Sequence, residues 1–291
     1  MTLAVLGSLA AAALAQAPAI APPRAPASVA SAIPAVDDAD AAGLTFRFTP
    51  GAWLARLGGT SKLGNLSAAD EINLETEFDL DDRETSPNFE MAIIKNQRWQ
   101  IDVSAFDFST ETTGTLAFSG AFGDVAFSPG DAYEASLDMT SVALSVSFWQ
   151  WDLIDSAERG GSVDLEMAGG AGVRWLSVEQ SLSLPGAGAA ATGDGEWLIP
   201  ELIFQVDFQY RLPSSFPILD TYEVLALASI GPAIGGDGGT VATLRAGMRF
   251  WLASQFSVDF GYRLLECSVE SDEFEFTGGL QGLFLSGTIR F

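Results

Sequence analysis

The residues with most chemical potential are charged side chains spaced evenly within short apolar stretches. Arg245 and Arg249 lie in TLRAGMRFWL, Asp259 and Arg263 in VDFGYRLL, Glu201, Asp207 and Arg211 in ELIFQVDFQYR, and Arg290 immediately before Phe291. Even spacing puts residues on one side of an extended strand, so each set shares a face. Guanidinium and carboxylate groups on an enclosed face either pair off as a structural network or line a polar eyelet for small ions and solutes. Other chemistry has little to work with. Histidine is absent, which removes the usual general base of hydrolytic dyads and triads and the imidazole ligands of zinc sites. The single cysteine, Cys267, can form neither an internal disulfide nor a thiolate cluster. Acidic runs at Asp79–Asp82 and Glu270–Glu275 are conceivable Ca²⁺ ligands, but they complete no EF-hand-type loop and read as solvated tips. Gly235–Gly239 (GGDGG) lacks the lysine of a phosphate loop and reads as a turn. No cofactor or metal is expected.

Such a face needs strands to carry it, and from Leu44 onward the dominant period is two. Leu202, Phe204, Val206, Phe208 and Tyr210 alternate with Glu201, Ile203, Gln205, Asp207, Gln209 and Arg211. Phe256, Val258, Phe260, Tyr262 and Leu264 do so against Ser257, Asp259, Gly261 and Arg263, and Leu244, Ala246, Met248, Phe250 and Leu252 against Thr243, Arg245, Gly247 and Arg249. Trp99, Ile101, Val103 and Ala105 oppose Gln100, Asp102 and Ser104; Val142, Leu144, Val146 and Phe148 oppose Ala143, Ser145 and Ser147. A soluble β-sandwich also alternates. Three features favour strands across a bilayer instead: aromatic residues near strand ends, strands of about ten residues or more, and connections of alternating length.

Composition agrees. Hydrophobic residues make up 48% and mean hydropathy is +0.24, yet the only long apolar run is N-terminal. Net charge is −24, from 38 acidic and 14 basic residues, which excludes nucleic acid as a partner. Residues 3–15 (LAVLGSLAAAALA) end in Ala13-Leu14-Ala15, a signal-peptidase pattern, so residues 1–15 read as a signal peptide. No lysine or arginine precedes its apolar core, so either the start lies upstream or the signal is atypical. Residues 16–43, rich in Ala and Pro, read as a disordered leader, and 44–291 as the folded part. The fold class expected is all-β: a transmembrane antiparallel up-and-down β-barrel of about 10 strands, with 8 or 12 as alternatives. Strand parity places strands near 44–57, 87–96, 98–118, 133–151, 161–183, 196–211, 222–235, 240–253, 255–271 and 273–291, both ends periplasmic. Ile72–Leu80 also alternates and is assigned to the first outer loop; a further strand pair within 110–132 would give twelve.

The C-terminus, LFLSGTIRF, ends on an aromatic with Leu283, Leu285 and Ile289 on one face. It resembles the terminal strand through which the barrel-assembly machinery recognises outer-membrane clients, with Leu285, Ile289 and Phe291 as the signal. Gly172–Trp175 (GVRW), Trp197 after a Gly-rich stretch, Gly261-Tyr262-Arg263 and an acidic tip at Glu270–Glu273 extend the likeness. Together they resemble small outer-membrane β-barrel proteins of the OmpA-transmembrane/OmpW-like kind, over less than half the chain. The resemblance implies a location in the outer membrane of a Gram-negative-type bacterium, reached through the periplasm, with membrane lipid as partner; oligomeric state stays open. On this scaffold the absence of histidine also excludes the phospholipase, lipid A deacylase and surface-protease mechanisms that depend on it. The function expected is non-enzymatic: a barrel with a charged, plugged lumen and acidic outer loops in a structural or interaction role. The alternative is a narrow passive, porin-like channel for small solutes or ions.

Overall fold

The computed structural model describes residues 43–66, 69–96, 98–154, 162–212 and 219–291. Residues 1–15, expected as a signal peptide, and all of the expected leader except Gly43 lie outside these. The strands are β1 (Leu44–Leu63), β2 (Ile72–Asn73), β3 (Arg83–Lys95), β4 (Trp99–Thr115), β5 (Gly120–Phe122), β6 (Val125–Phe127), β7 (Ala132–Ile154), β8 (Val163–Leu184), β9 (Ala189–Arg211), β10 (Thr221–Pro232), β11 (Gly238–Ala253), β12 (Phe256–Glu270) and β13 (Phe274–Arg290). Ten of them pair antiparallel in chain order, and β13 returns to pair with β1, so the wall closes without a free edge strand. The backbone of Phe291 extends that seam, exchanging hydrogen bonds with Phe46 (2.9 and 3.1 Å). The two-residue β2 pairs only with Thr60 and Ser61 of β1, so Ile72–Leu80 stays in the first outer loop. The 110–132 stretch does hold a strand pair, β5 and β6, but it forms a separate two-stranded sheet and the wall remains ten-stranded.

The outer hairpins reach further than the sequence pattern suggests. The Gly-rich stretch 183–196 is not a loop: β8 and β9 run through it and turn only at 185–188. Its Gly193 and Gly195 serve packing, since a Cβ on Gly193 would run into Leu63 and Phe274, and one on Gly195 into the Trp197 ring. At 23, 22 and 23 residues, β7, β8 and β9 are about twice as long as a bilayer crossing needs.

Along those long strands the inward and outward faces swap character midway, the pleat itself keeping its phase. In β7 the inward residues are Tyr133, Ala135, Leu137 and Met139, then Ser141, Ala143, Ser145 and Ser147. Outward stand Glu134, Ser136, Asp138 and Thr140, followed by Val142, Leu144, Val146 and Phe148. Strand β12 does the same: Leu265, Cys267 and Val269 point inward above Arg263, Asp259 and Ser257, while Glu266 and Ser268 face out above Leu264, Tyr262 and Phe260. The physical reason is the surrounding medium. Where water surrounds the wall, polar residues face out and apolar ones collect inside. Where lipid surrounds it, apolar residues face out, as with Leu202 at 71% exposure, and the interior holds the polar groups.

The outer half of the interior is therefore an apolar core. Ile72, Leu74, Phe78 and Leu80 from the first loop and Phe122, Val125 and Phe127 from the β5–β6 hairpin are buried in it with Trp53, Leu137, Trp197 and Phe276. Phe78 is its hub, within aromatic contact of Phe122 (6.2 Å), Phe127 (6.5 Å) and Tyr133 (5.8 Å). The Tyr133 hydroxyl also donates to the Phe78 carbonyl at 3.0 Å. Three ion pairs tie this end to β1: Arg56 to Asp81 and Lys62 to Glu71 (3.7 Å), both of the first loop, and Lys62 to Glu275 at 3.0 Å.

Candidate functional site

Below the apolar core the lumen is polar, and its charges fall into three groups. The first is centred on Arg249, whose guanidinium meets Asp259 through Nε (2.9 Å) and Nη2 (3.0 Å) and Glu223 through Nη1 (3.2 Å). Asp259 accepts further hydrogen bonds from Ser257 (3.1 Å) and Thr288 (3.0 Å), and Glu223 one from Trp251 Nε1 (2.6 Å). The hairpin turn between β11 and β12 sets this contact, because its register places Arg249 directly opposite Asp259. The second group is Arg174 on β8, forked onto Glu201 of β9 (2.7 and 3.3 Å) and donating to Ser141 Oγ (3.1 Å). The third crosses the lumen, joining Arg245 on β11 to Glu90 on β3. Forked guanidinium–carboxylate pairs in a low-dielectric interior neutralise charges that would otherwise be costly to enclose.

Aromatic rings form the boundary between the charged region and the core above. Arg245 lies over Phe284 (4.4 Å), and Arg263 lies over both Trp53 (4.8 Å) and Phe106 (5.0 Å). All three rings belong to the apolar core. Cationic faces on aromatic rings let a polar layer abut an apolar one without stranding charge on alkyl surface. Towards the other end, Arg290 lies 3.8 Å from the Trp251 ring centroid.

The charged positions singled out in the sequence are thus distributed as follows. Arg245, Arg249, Arg263, Asp259, Glu201 and Asp207 all point inward. Glu201 meets Arg174 rather than an arginine of β11 or β12, and Asp207 takes a hydrogen bond from Gln209 (3.0 Å). Arg211, at the end of β9, keeps one guanidinium nitrogen buried without a hydrogen-bond partner. Leu285, Ile289 and Phe291 are exposed on the outside. Sequence reasoning passed over Arg47, Glu90 and Glu223, although each sits between two outward apolar residues: Phe46 and Phe48, Phe89 and Met91, Tyr222 and Val224. Arg47 donates to Gln100 (2.9 Å), which in turn donates to Asp102 (2.7 Å).

A cavity of about 150 Å³ lies among these groups, lined by residues that include Glu90, Asp102, Arg174, Glu201, Asp207, Ser229, Thr243, Arg245 and Arg263. Among the described residues no cluster of three or more carboxylate or thiol side chains is placed to hold a metal ion. The lumen hydroxyls of Ser141, Ser257 and Thr288 are tied into the charge groups described above.

A closed antiparallel wall, an apolar outward band and a polar lumen define a β-barrel of the outer-membrane class; the OmpA-transmembrane/OmpW-like resemblance fits at the level of fold. No protein-family model matches the chain, and no curated protein does. Solved structures similar to it are outer-membrane barrels. The attachment invasion locus protein Ail of Yersinia pestis, in complex with the heparin analogue sucrose octasulfate, is 14% identical, with 85% of this chain and 99% of that one covered and a TM-score of 0.34. The translocator domain of the autotransporter NalP from Neisseria meningitidis is 11% identical (86% and 89% covered, TM-score 0.34). The P. putida toluene transporter TodX is 10% identical (86% and 90% covered, TM-score 0.27).

Proposed function

We propose that this chain is a non-enzymatic outer-membrane barrel of a Gram-negative-type envelope, closed to free diffusion, whose outer extension serves a structural or interaction role. One observation carries the reading: the outer half of the interior is filled by apolar side chains from two inserted segments, the Ile72–Leu80 stretch and the β5–β6 hairpin. Ions do not cross a packed apolar layer. Export through the residues 1–15 signal and insertion through the Leu285, Ile289 and Phe291 signal belong to the same proposal. Outside the wall, the extended strands carry Asp107, Glu111, Glu134, Asp138, Glu179, Asp194 and Glu196 on their outer faces, an acidic collar presented to solvent.

Single-channel recording in planar bilayers tests this. The parent protein is expected to show no steady conductance, and excising residues 72–80 is expected to produce one through the charged lumen beneath. A parent that conducts steadily at a nanosiemens-like level overturns the closed reading and establishes the narrow channel in its place.

A further inference from the structure

The wall is closed where lipid surrounds it, but in the outer extension β4 has a strand on one side only. Its ladder with β3 ends where Asn88 stands opposite Phe106, whereas its ladder with β7 runs on without a bulge until Thr115 meets Ala132. Pro87, the next residue of β3, has no N–H to continue the ladder, and the Asp107 carbonyl accepts from the Ser86 hydroxyl instead (2.7 Å). That contact also fixes which backbone groups face the gap. Residues of an extended strand point N–H and C=O to alternate sides, so Asp107 is followed on this side by Ser109, Glu111, Thr113 and Thr115. The other set is turned towards β7, as with the Leu116 N–H on the Asp131 carbonyl (2.9 Å). Among the described residues no backbone group pairs with the gap-facing groups of Ser109, Glu111 and Thr113, and their side chains are exposed. Ser109–Thr115 is therefore about 20 Å of unpaired strand edge.

Strand edges that are to stay unpaired are guarded by lysine, proline, a bulge or a covering segment. The edge of β9, where that strand outgrows β10, is covered: Ser271 of the β12–β13 turn reaches the Asp194 carbonyl (3.4 Å), and Trp197 Nε1 donates to the Glu270 carbonyl (3.1 Å). The β4 edge, STETTGT, holds no lysine, proline or bulge, and its threonines suit a strand. Charge selects what pairs with it. Asp107, Glu111, Glu134 and Asp138 stand outward on β4 and β7 beside the edge, while Arg56, Lys62 and Arg83 belong to β1 and β3 across the gap. A second copy would bring the same carboxylates together, whereas a lysine or arginine directly opposite Glu111 forms an attractive cross-strand pair. We propose that the β4 edge takes up an extended cationic peptide segment as an added antiparallel strand, its alternate basic side chains outward against Glu111 and its neighbours. This names the partner of the outer extension and rests on the interaction role proposed above, not on the closed lumen.

The test titrates the folded protein in nonionic micelles against a fluorescein-labelled peptide of alternating lysine and threonine, with binding read by fluorescence anisotropy. In an antiparallel pair, residues opposite one another share a face and turn their backbone groups to each other, so the lysine amides meet β4. Saturable binding is expected, about tenfold weaker when the lysine amides are N-methylated and unchanged when the threonine amides are. In the protein, Thr113→Pro removes an N–H that faces the gap and leaves the β4–β7 ladder intact, so the fold is retained and binding falls by a similar factor. Equal binding of the two methylated peptides, or unchanged binding by Thr113→Pro, would mean attraction by charge alone. Strand addition is then overturned while the interaction role of the acidic extension stands. No saturable binding to the parent overturns the cationic partner. A parent that is dimeric without peptide and monomeric as Thr113→Pro gives the edge to a second copy and overturns it too. Should Thr113→Pro fail to fold, the two methylated peptides decide alone.

Discussion

Arg245 of β11 and Arg263 of β12 stand directly opposite one another in the strand register, two guanidinium groups entering the lumen side by side. Like charges at such a pair repel, and here they are separated by being drawn to different walls. Arg245 reaches Glu90 on β3 and the Phe284 ring, whereas Arg263 settles on Trp53 and Phe106. The resulting asymmetry, one arginine with a carboxylate and one without, sets the order in which the lumen charges tolerate change.

A fully enclosed ion pair costs more to break than a half-exposed one. Arg174 and Glu201 keep 6% and 3% side-chain exposure, against 18% and 30% for Arg245 and Glu90. Glu201→Gln leaves a buried guanidinium with half its fork unmet and is expected to cost ~3–5 kcal/mol. Glu90→Gln, whose partner retains the Phe284 face and more contact with the cavity, is expected to cost about half that. Urea unfolding of the protein folded into lipid vesicles measures both; equal costs would show that enclosure does not govern the network.

How much of this arrangement can be read from residues alone depends on how local the contact is. The Arg249–Asp259 pair is legible, because a tight turn at 254–255 fixes the register of the strands bearing them. The Arg245–Glu90 pair is not: β3 and β11 are no neighbours in the sheet and meet only because the wall closes and projects both inward. Ten strands and their parity follow from alternation and connection length, while the fate of 183–196 does not, since glycine marks tight packing as readily as a turn. One signal was open to reading. In Tyr133–Phe148 the apolar residues shift from odd to even positions after Met139, and this change of phase marks where the wall leaves water for lipid.

Register against the bilayer is tested on β9. Phe204 faces out at 43% exposure and Val206 shares that face, while Gln205 and Asp207 point inward. An arginine at a lipid-facing midplane position costs ~2–4 kcal/mol. Val206→Arg is expected to lose about that much in unfolding from vesicles. Gln205→Arg, entering a lumen that already holds Glu201 and Asp207, is expected to lose under about 1 kcal/mol. A reversed order would place the strand one residue out of register.

The terminal residue combines a covalently trivial deletion with a demanding assembly step. Phe291 is 72% exposed, so its ring contributes little to packing, yet its backbone closes the β13–β1 seam onto Phe46. Deleting it removes two hydrogen bonds and the aromatic terminus, a change of about 1–3 kcal/mol at most. The expected result is a larger fall in assembled yield in cells, with periplasmic degradation, than in refolding from urea into vesicles. Equal losses in both settings would mean that Phe291 acts through the seam alone and not as a signal.

The outer collar carries a built-in repulsion that salt should relieve. Asp138, Glu179 and Asp194 occupy one row across β7, β8 and β9, each directly opposite the next, and all three are exposed. Carboxylates so placed lie about 5 Å apart at Cβ, and each like-charged pair destabilises the sheet by a few tenths of a kcal/mol. Glu179 is the middle member and takes part in both pairs. Replacing it with lysine converts two repulsions into two attractions, so Glu179→Lys is expected to stabilise the extension by about 1 kcal/mol at low ionic strength. Glu179→Gln, which only removes the repulsions, is expected to gain about half as much. Because the row faces water, both gains should shrink strongly in ~1 M salt, where the screening length falls to about 3 Å. Amide exchange along β8 at two salt concentrations reports the local opening free energy directly. A gain for lysine that survives high salt would have to come from its longer side chain covering neighbouring surface, and the electrostatic account of the collar would fail.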